Sequence, residues 1–268
     1  MTGAATGPAF ITGGSSGIGL HLARQLAQRG HPIAIFARDP GKLQAAVDAI
    51  PGARAYPCDV SDRAQLESAV AKAMDDLGAP AWAIANAGIA EPGAFLAQPL
   101  ESHAAQMATN YMGALTFARA CVPRMAPGAR LVFVGSGAAF FGIYGYAAYA
   151  PSKFALRGLA EVLRVELAPR GIAVTLAYPP DTDTPQLAAE ARTKPEATKR
   201  ITADGGLWQP EAVARAILRG ADRGRFAVAP GVQMTALLWL HSLLAPVLRW
   251  WQGRIVRRTG GQRDGRPE

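Results

Sequence analysis

The chain is 268 residues long, half of them hydrophobic, with a formal net charge of +8. That length and apolar content fit one α/β domain with a sizeable core. Two cysteines, Cys58 and Cys121, and four scattered histidines exclude a disulfide framework and give no metal-ligand spacing. The basic residues are too dispersed through the main body for a nucleic-acid surface.

Residues 1–8 have neither the basic start nor the apolar run of a signal peptide, so a cytoplasmic setting is expected. Residues 9–12 read as a short strand, 13–19 (GGSSGIG) as a glycine turn, and 20–29 as a helix with Leu22, Ala23 and Leu26 on one face. This order lets the backbone approach a pyrophosphate, and the helix N-terminus offers it free N–H groups and the positive end of a dipole. Gly13, Ser15, Ser16, Gly17, Ile18 and Gly19 are therefore candidate contacts to a dinucleotide.

A second strand, 32–37, runs into Arg38. An acid there suits the ribose hydroxyls of NAD, whereas a cation suits the extra phosphate of NADP. Arg38, with Lys42 in the first turn of a helix at 42–50, points to NADP. The alternative is that both are ordinary surface cations, and Asp39 lies between them. After a third strand at 53–58, Asp59, beside Val60, either accepts from an adenine amino group or starts a turn or caps the next helix, at 64–77.

A fourth strand, 81–86, leads into Asn86, Ala87 and Gly88, and one long helix containing Asn110 is predicted over 101–125. Strand 130–134 follows, and Ser136 just beyond its carboxyl end can donate to a substrate oxygen. The uncharged stretch 131–152 is long enough to suggest a membrane span, but five glycines and prolines within it point to a buried strand and an active-site loop. In the helix predicted at 148–167, Tyr149 and Lys153 lie one turn apart on one face. A phenol has a pKa of about 10. A neighbouring ammonium favours the phenolate, so Lys153 is expected to bring Tyr149 towards working pH as a general acid. Alone, that spacing is far more often a solvated helix face. A sixth strand at 172–177 and a helix at 211–221 complete an alternation that implies a doubly wound parallel sheet with helices on both faces.

Beyond the sixth strand, the segment 178–185 (YPPDTDTP) is stiffened by prolines. Pro179 and the hydroxyls of Thr182 and Thr184 either border the cofactor and substrate or form an ordinary turn. Residues 185–209 are expected to be a mobile substrate flap hinged at Gly205 and Gly206.

The motif 12–19 (TGGSSGIG), Asp59-Val60, Asn86-Ala87-Gly88, Asn110, Ser136, Tyr149 and Lys153 resemble, in order, the short-chain dehydrogenase/reductase family. The resemblance spans about residues 9–230. It implies that Tyr149 donates the proton, Lys153 lowers its pKa and binds the nicotinamide ribose, Ser136 orients the carbonyl and Asn110 organises a water-linked relay. The segments 152–161, 178–185 and 190–195 are more narrowly similar to 3-ketodihydrosphingosine reductases. That similarity implies reduction of 3-ketosphinganine to sphinganine with NADPH. A 3-oxoacyl thioester or another hydrophobic ketone is the alternative substrate, and a non-catalytic NADP-binding scaffold the alternative class.

Residues 234–248 carry no formal charge; Trp250 and Trp251 follow, and residues 249–268, with six arginines against Asp264 and Glu268, hold half of the net charge. Pro246 interrupts the run, and about 20 apolar residues are needed to span a bilayer, so shallow burial at a membrane interface is expected, through 234–258. A helix packed on the domain or on a partner subunit, and a wall for an acyl-chain tunnel, are the other readings. The chain thus divides into a catalytic domain at 1–230 and a tail at 231–268. It is expected to act as a homo-oligomer, dimer or tetramer, because the helices around 101–125 and 147–167 resemble those that pair subunits in this family. Its expected place is the cytoplasmic face of a membrane, with a long-chain lipid ketone as substrate and no nucleic-acid or metal partner.

Overall fold

Phe10 and Ile11 are consecutive strand residues and both fully buried, which requires a sheet covered on both faces. The computed structural model, describing residues 6–203 and 206–259, has such a sheet. Its strands are β1 (Ala9–Thr12), β2 (Ile33–Ala37), β3 (Ala53–Pro57), β4 (Trp82–Ala85), β5 (Arg130–Val134), β6 (Ala173–Ala177) and β7 (Ala227–Val228), in the spatial order β3-β2-β1-β4-β5-β6-β7 and all parallel. Between and after them run α1 (Gly17–Ala27), α2 (Pro40–Asp48), α3 (Arg63–Leu77), α4 (Leu100–Met107), α5 (Gly113–Cys121), α6 (Tyr149–Glu166), α7 (Pro185–Glu190), α8 (Glu196–Thr202), α9 (Pro210–Asp222) and α10 (Val232–Arg258).

Alternate strand residues feed two cores. Phe10, Phe36 and Phe133 meet Leu66, Phe117 and Leu156 on one face of the sheet. Ile11, Ile35 and Val132 meet Leu22, Leu26, Val213 and Ile217 on the other. The strand order reverses direction between β1 and β4, so their carboxyl ends diverge and leave a crevice where such sheets bind ligands.

Two local expectations need correction. The helix predicted over 101–125 is not α-helical throughout: α4 and α5 are joined by a π-helical turn, Ala108–Met112, in which Thr109 and Asn110 are buried. Widening one turn allows inward polar residues to be accommodated without ending the helix. Residues 185–209, the expected substrate flap, contain α7 and α8. Their base is pinned by Asp183 N–H to Trp208 O and Trp208 N–H to Asp181 O, both 2.9 Å. Gly205 lies outside the described residues. Finally, Pro246 does not interrupt the tail, because it sits inside the continuous helix α10. Its inner side is anchored to the body. Met234 and Leu237 join the first core, and Gln252 accepts from Tyr144 N–H at 3.2 Å and donates to Gly142 O at 3.1 Å. No helix among the described residues is long and apolar enough to cross a membrane.

Candidate active site

A cleft of about 400 Å³ lies along the carboxyl ends of the central strands. The glycine turn forms one end. Gly13 has φ +64°, and a Cβ on it would lie 2.8 Å from Ala87 Cα, so only glycine lets β1 and β4 finish this close together. Asn86 clasps the turn by donating from Nδ2 to Thr12 O and Gly13 O, both at 3.1 Å. Thr12 Oγ1 accepts from the N–H groups of Asn86 and Ala87 at 3.0 and 3.1 Å. Gly13, Ser15, Ser16, Gly17 and Ile18 line the cleft where α1 begins. Gly19 is inside α1 and does not. A side chain there would collide with Gly13 O and with Asn86, so its part is to let helix and turn close up.

Arg38 and Lys42 line the cleft's outer edge and are both largely exposed. Asp39 is occupied as the N-cap of α2, accepting from Lys42 N–H at 3.0 Å. Asp59 does not line the cleft. It accepts from Ser61 N–H and Oγ–H at 2.8 and 2.6 Å and pairs with Arg38 at 3.4 Å, the turn-forming alternative of the two. Val60, Asn86, Ala87, Gly88, Pro179 and Thr182 all face the cleft. The Thr182 hydroxyl, however, donates to Pro180 O at 2.8 Å, and Thr184 Oγ1 caps α7 by accepting from Leu187 N–H at 3.3 Å, so both hydroxyls serve the backbone.

At the other end, Ser136, Tyr149 and Lys153 converge. Ser136 follows β5 and accepts from Ala138 N–H at 3.2 Å, so its own O–H serves as a donor on the Tyr149 side of the cleft. Tyr149 opens α6 and Lys153 lies one turn further on, both buried, with Lys153 Nζ 5.5 Å from the phenol ring centre. Lys153 donates to Val134 O at 3.2 Å. Asn110 stands behind them and does not reach the cleft. Its Oδ1 accepts from Ile89 N–H at 2.8 Å, and its Nδ2 donates to Ile89 O and to Ser152 Oγ, both at 2.9 Å. Ser152 in turn donates to Tyr149 O at 2.7 Å. Asn110 therefore ties the end of β4 to the turn that carries Tyr149.

Burial dominates the electrostatics. It pushes the Tyr149 phenol well above its ordinary range, assisted by the negative charge of Glu190 and opposed by hydrogen bonding from Ser136. The expectation that Lys153 brings this phenol down is thus not met in net effect. Burial lowers Lys153 itself to about 8, with the Glu190 charge acting the other way. Glu190, Gln186 and Tyr146 line the same cleft and were missed from sequence. An acid and an amide one turn apart in a segment flanked by apolar residues were the only signal.

The family model for short chain dehydrogenases matches residues 8–195. The chain belongs to the short-chain dehydrogenase family. Among its family relatives, it is 39% identical over 254 residues to the 3-dehydrosphinganine reductase of Danio rerio, covering 91% of this chain and 76% of that one. It is 34% identical over 275 residues to the 3-ketodihydrosphingosine reductase of Dictyostelium discoideum, covering 89% and 82%. A solved short-chain dehydrogenase from Sphingobium yanoikuyae in complex with NADPH is 25% identical, covers 97% of this family member and is covered to 96%, with a TM-score of 0.75. A nicotinamide dinucleotide fits the cleft of this short-chain dehydrogenase on its own residues. The glycine cradle and the start of α1 suit a pyrophosphate, and Arg38 with Lys42 suits a further phosphate at the open edge.

Proposed function

We propose that this chain reduces 3-ketosphinganine to sphinganine with NADPH as reductant. The observation that carries the reading is the convergence of Ser136, Tyr149 and Lys153 at one end of a cleft whose other end is a dinucleotide cradle bordered by Arg38. The relatives named above supply the ketone. Bound NADPH supplies the hydride that becomes the new C–H bond and is left as NADP⁺. The residues do the rest. Ser136 O–H donates to the carbonyl oxygen and fixes its direction. Tyr149, its phenol kept protonated by burial, passes its proton to that oxygen as the carbon takes the hydride. Lys153 places a positive charge against the phenolate that remains. Asn110, through Ile89 and Ser152, holds the first turn of α6 in position.

The cleft also suits a long alkyl chain. Phe141, Ile143, Leu187, Ile201, Met234 and Leu237 line it beyond Tyr149, the last two from α10. Steady-state NADPH oxidation with 3-ketosphinganine and with a 3-oxoacyl thioester of equal chain length tests the choice. The sphingoid ketone should have the higher kcat/KM; a higher value for the thioester would replace the assignment.

The outer side of α10 supports a membrane contact. Val232, Trp239, Leu243, Val247 and Trp250 recur every three, four or seven residues on its solvent side, and Arg254, Arg257 and Arg258 follow. An apolar stripe ending in tryptophan and arginine suits the headgroup boundary of an anionic bilayer. Homo-oligomerisation has a separate support in α6, where Phe154, Val162 and Val165 are exposed on one face.

A further inference from the structure

The side of the cleft formed by α7 holds an acid with no cation matched to it. Glu190 ends α7 and is 7% exposed. Tyr146 donates to its Oε2 at 2.9 Å and Gln186 to its Oε1 at 3.1 Å, and both donors are neutral. The nearby Asp181 has its own cation, Lys194, at 3.7 Å. Lys194 also lies 5.8 Å from the Tyr146 ring centre, and its charge acts on Glu190 less than the two hydrogen bonds do. Among the described residues no ion pair reaches Glu190. A buried carboxylate without a paired cation is costly, and burial accordingly raises its pKa. Each carboxylate oxygen keeps a lone pair beyond the one already used.

Glu190 shares the cleft with Ser136 and Tyr149. The Tyr146 and Tyr149 rings are 5.4 Å apart, so the residue that holds Glu190 stands directly beside the proton donor. The substrate assigned above carries an ammonium on the carbon next to its ketone. That ammonium is one carbon from the carbonyl, so a ketone oxygen held between Ser136 and Tyr149 keeps it near the Tyr146 ring, whose hydroxyl donates to Glu190.

We propose that Glu190 is the specificity-determining carboxylate of this site, receiving the ammonium of a 2-amino ketone while Tyr146 and Gln186 hold it in place. The proposal rests on the sphingoid reading and extends it from the alkyl chain to the head of the substrate. A 3-oxoacyl thioester offers no cation and would leave Glu190 buried and unpaired, which is discrimination by an unmet charge.

The test compares 3-ketosphinganine with the same ketone lacking the amino group, in the wild type and in Glu190→Gln, with NADPH. The wild type should prefer the amino ketone in kcat/KM by about 10- to 100-fold, the range of a charge-assisted hydrogen bond. Glu190→Gln should lose most of that preference, chiefly through KM of the amino ketone, while NADPH titration shows that the site remains formed. An unchanged preference in the variant would overturn the proposal. Equal use of both ketones by the wild type would overturn it while leaving the sphingoid reading intact, and reduction of neither would remove that reading and the proposal together. If Glu190→Gln does not fold, inhibition of the wild type by a long-chain amine and by the matching alcohol decides the point. Tighter competition by the amine supports the carboxylate, and equal competition overturns it.

Discussion

Tyr149 is buried, and its phenol holds its proton across the whole neutral range. For a reductase that is the required form, because the group must give a proton at the moment the carbon accepts hydride. Tyr149→Phe removes only that hydroxyl. It should lower kcat by about 10²- to 10⁴-fold, the usual worth of a positioned acid, with little change in NADPH affinity by fluorescence titration. Lys153 sets the pH limit. Its ammonium, lowered to about 8, is present below that pH and lost above it. The value of kcat/KM for NADPH, which reports the free enzyme, should therefore fall as pH rises through about 8. A profile flat to pH 10 would contradict that role for Lys153. Arg38→Ala should raise KM for NADPH by about 10- to 100-fold and leave NADH almost unaffected, the loss expected for one charge-assisted phosphate contact.

These residues were legible in the sequence because their chemistry follows from type and order: a hydroxyl after a buried strand, a phenol and an ammonium one turn apart, glycines between strand and helix. What was not legible is how their polar atoms are spent. Thr182 and Asp59 each admit two readings in the sequence, a ligand contact or a local turn, and the bonds that Thr182 makes to Pro180 O and Asp59 accepts from Ser61 emerge only with the fold. Hydrogen-bond partners distant in sequence, such as Ile89 for Asn110, are set by tertiary packing that local pattern does not encode.

At the scale of elements, strand and helix periodicity located β1 to β6 within a residue at each end, because buried parallel strands are continuous apolar runs. The two-residue β7 is too short to give any period. The π-helical turn between α4 and α5 escaped for a different reason: Gly113, just after it, is the only local mark, and a single glycine inside a helical pattern does not specify a widened turn. Asn110→Ala removes the partner of the part-buried N–H and C=O of Ile89 and of the buried Ser152 hydroxyl, at about 0.5–1.5 kcal/mol for each bond lost. In calorimetry the midpoint should fall by about 2–4 °C for each kcal/mol, and kcat should fall with it because the turn carrying Tyr149 is no longer tied to β4. An unchanged midpoint would show that water replaces those bonds.

Across the whole molecule, α10 joins two roles. Its inner side closes the apolar end of the cleft through Met234 and Leu237, while its outer side exposes Trp239 and Trp250 at 78% and 60% of their surface. The sequence showed an apolar, then aromatic, then basic segment but not that one continuous helix serves both sides, since Pro246 read as a break. Replacing Trp239 and Trp250 together with serine should weaken flotation with anionic liposomes without lowering thermal stability, because neither ring is in the core. Equal flotation would argue that the stripe meets protein rather than lipid.

The central claim is that hydride and proton are both delivered to the ketone of 3-ketosphinganine in this cleft. Incubating the purified chain with that ketone and NADPH deuterated at the transferring position, then analysing the product by mass spectrometry, tests it directly. The account predicts sphinganine carrying one deuterium on the carbinol carbon, formed in equal amount to NADP⁺ and not formed by Tyr149→Phe at a comparable rate. NADPH left unconsumed, or sphinganine formed without the label, would contradict it.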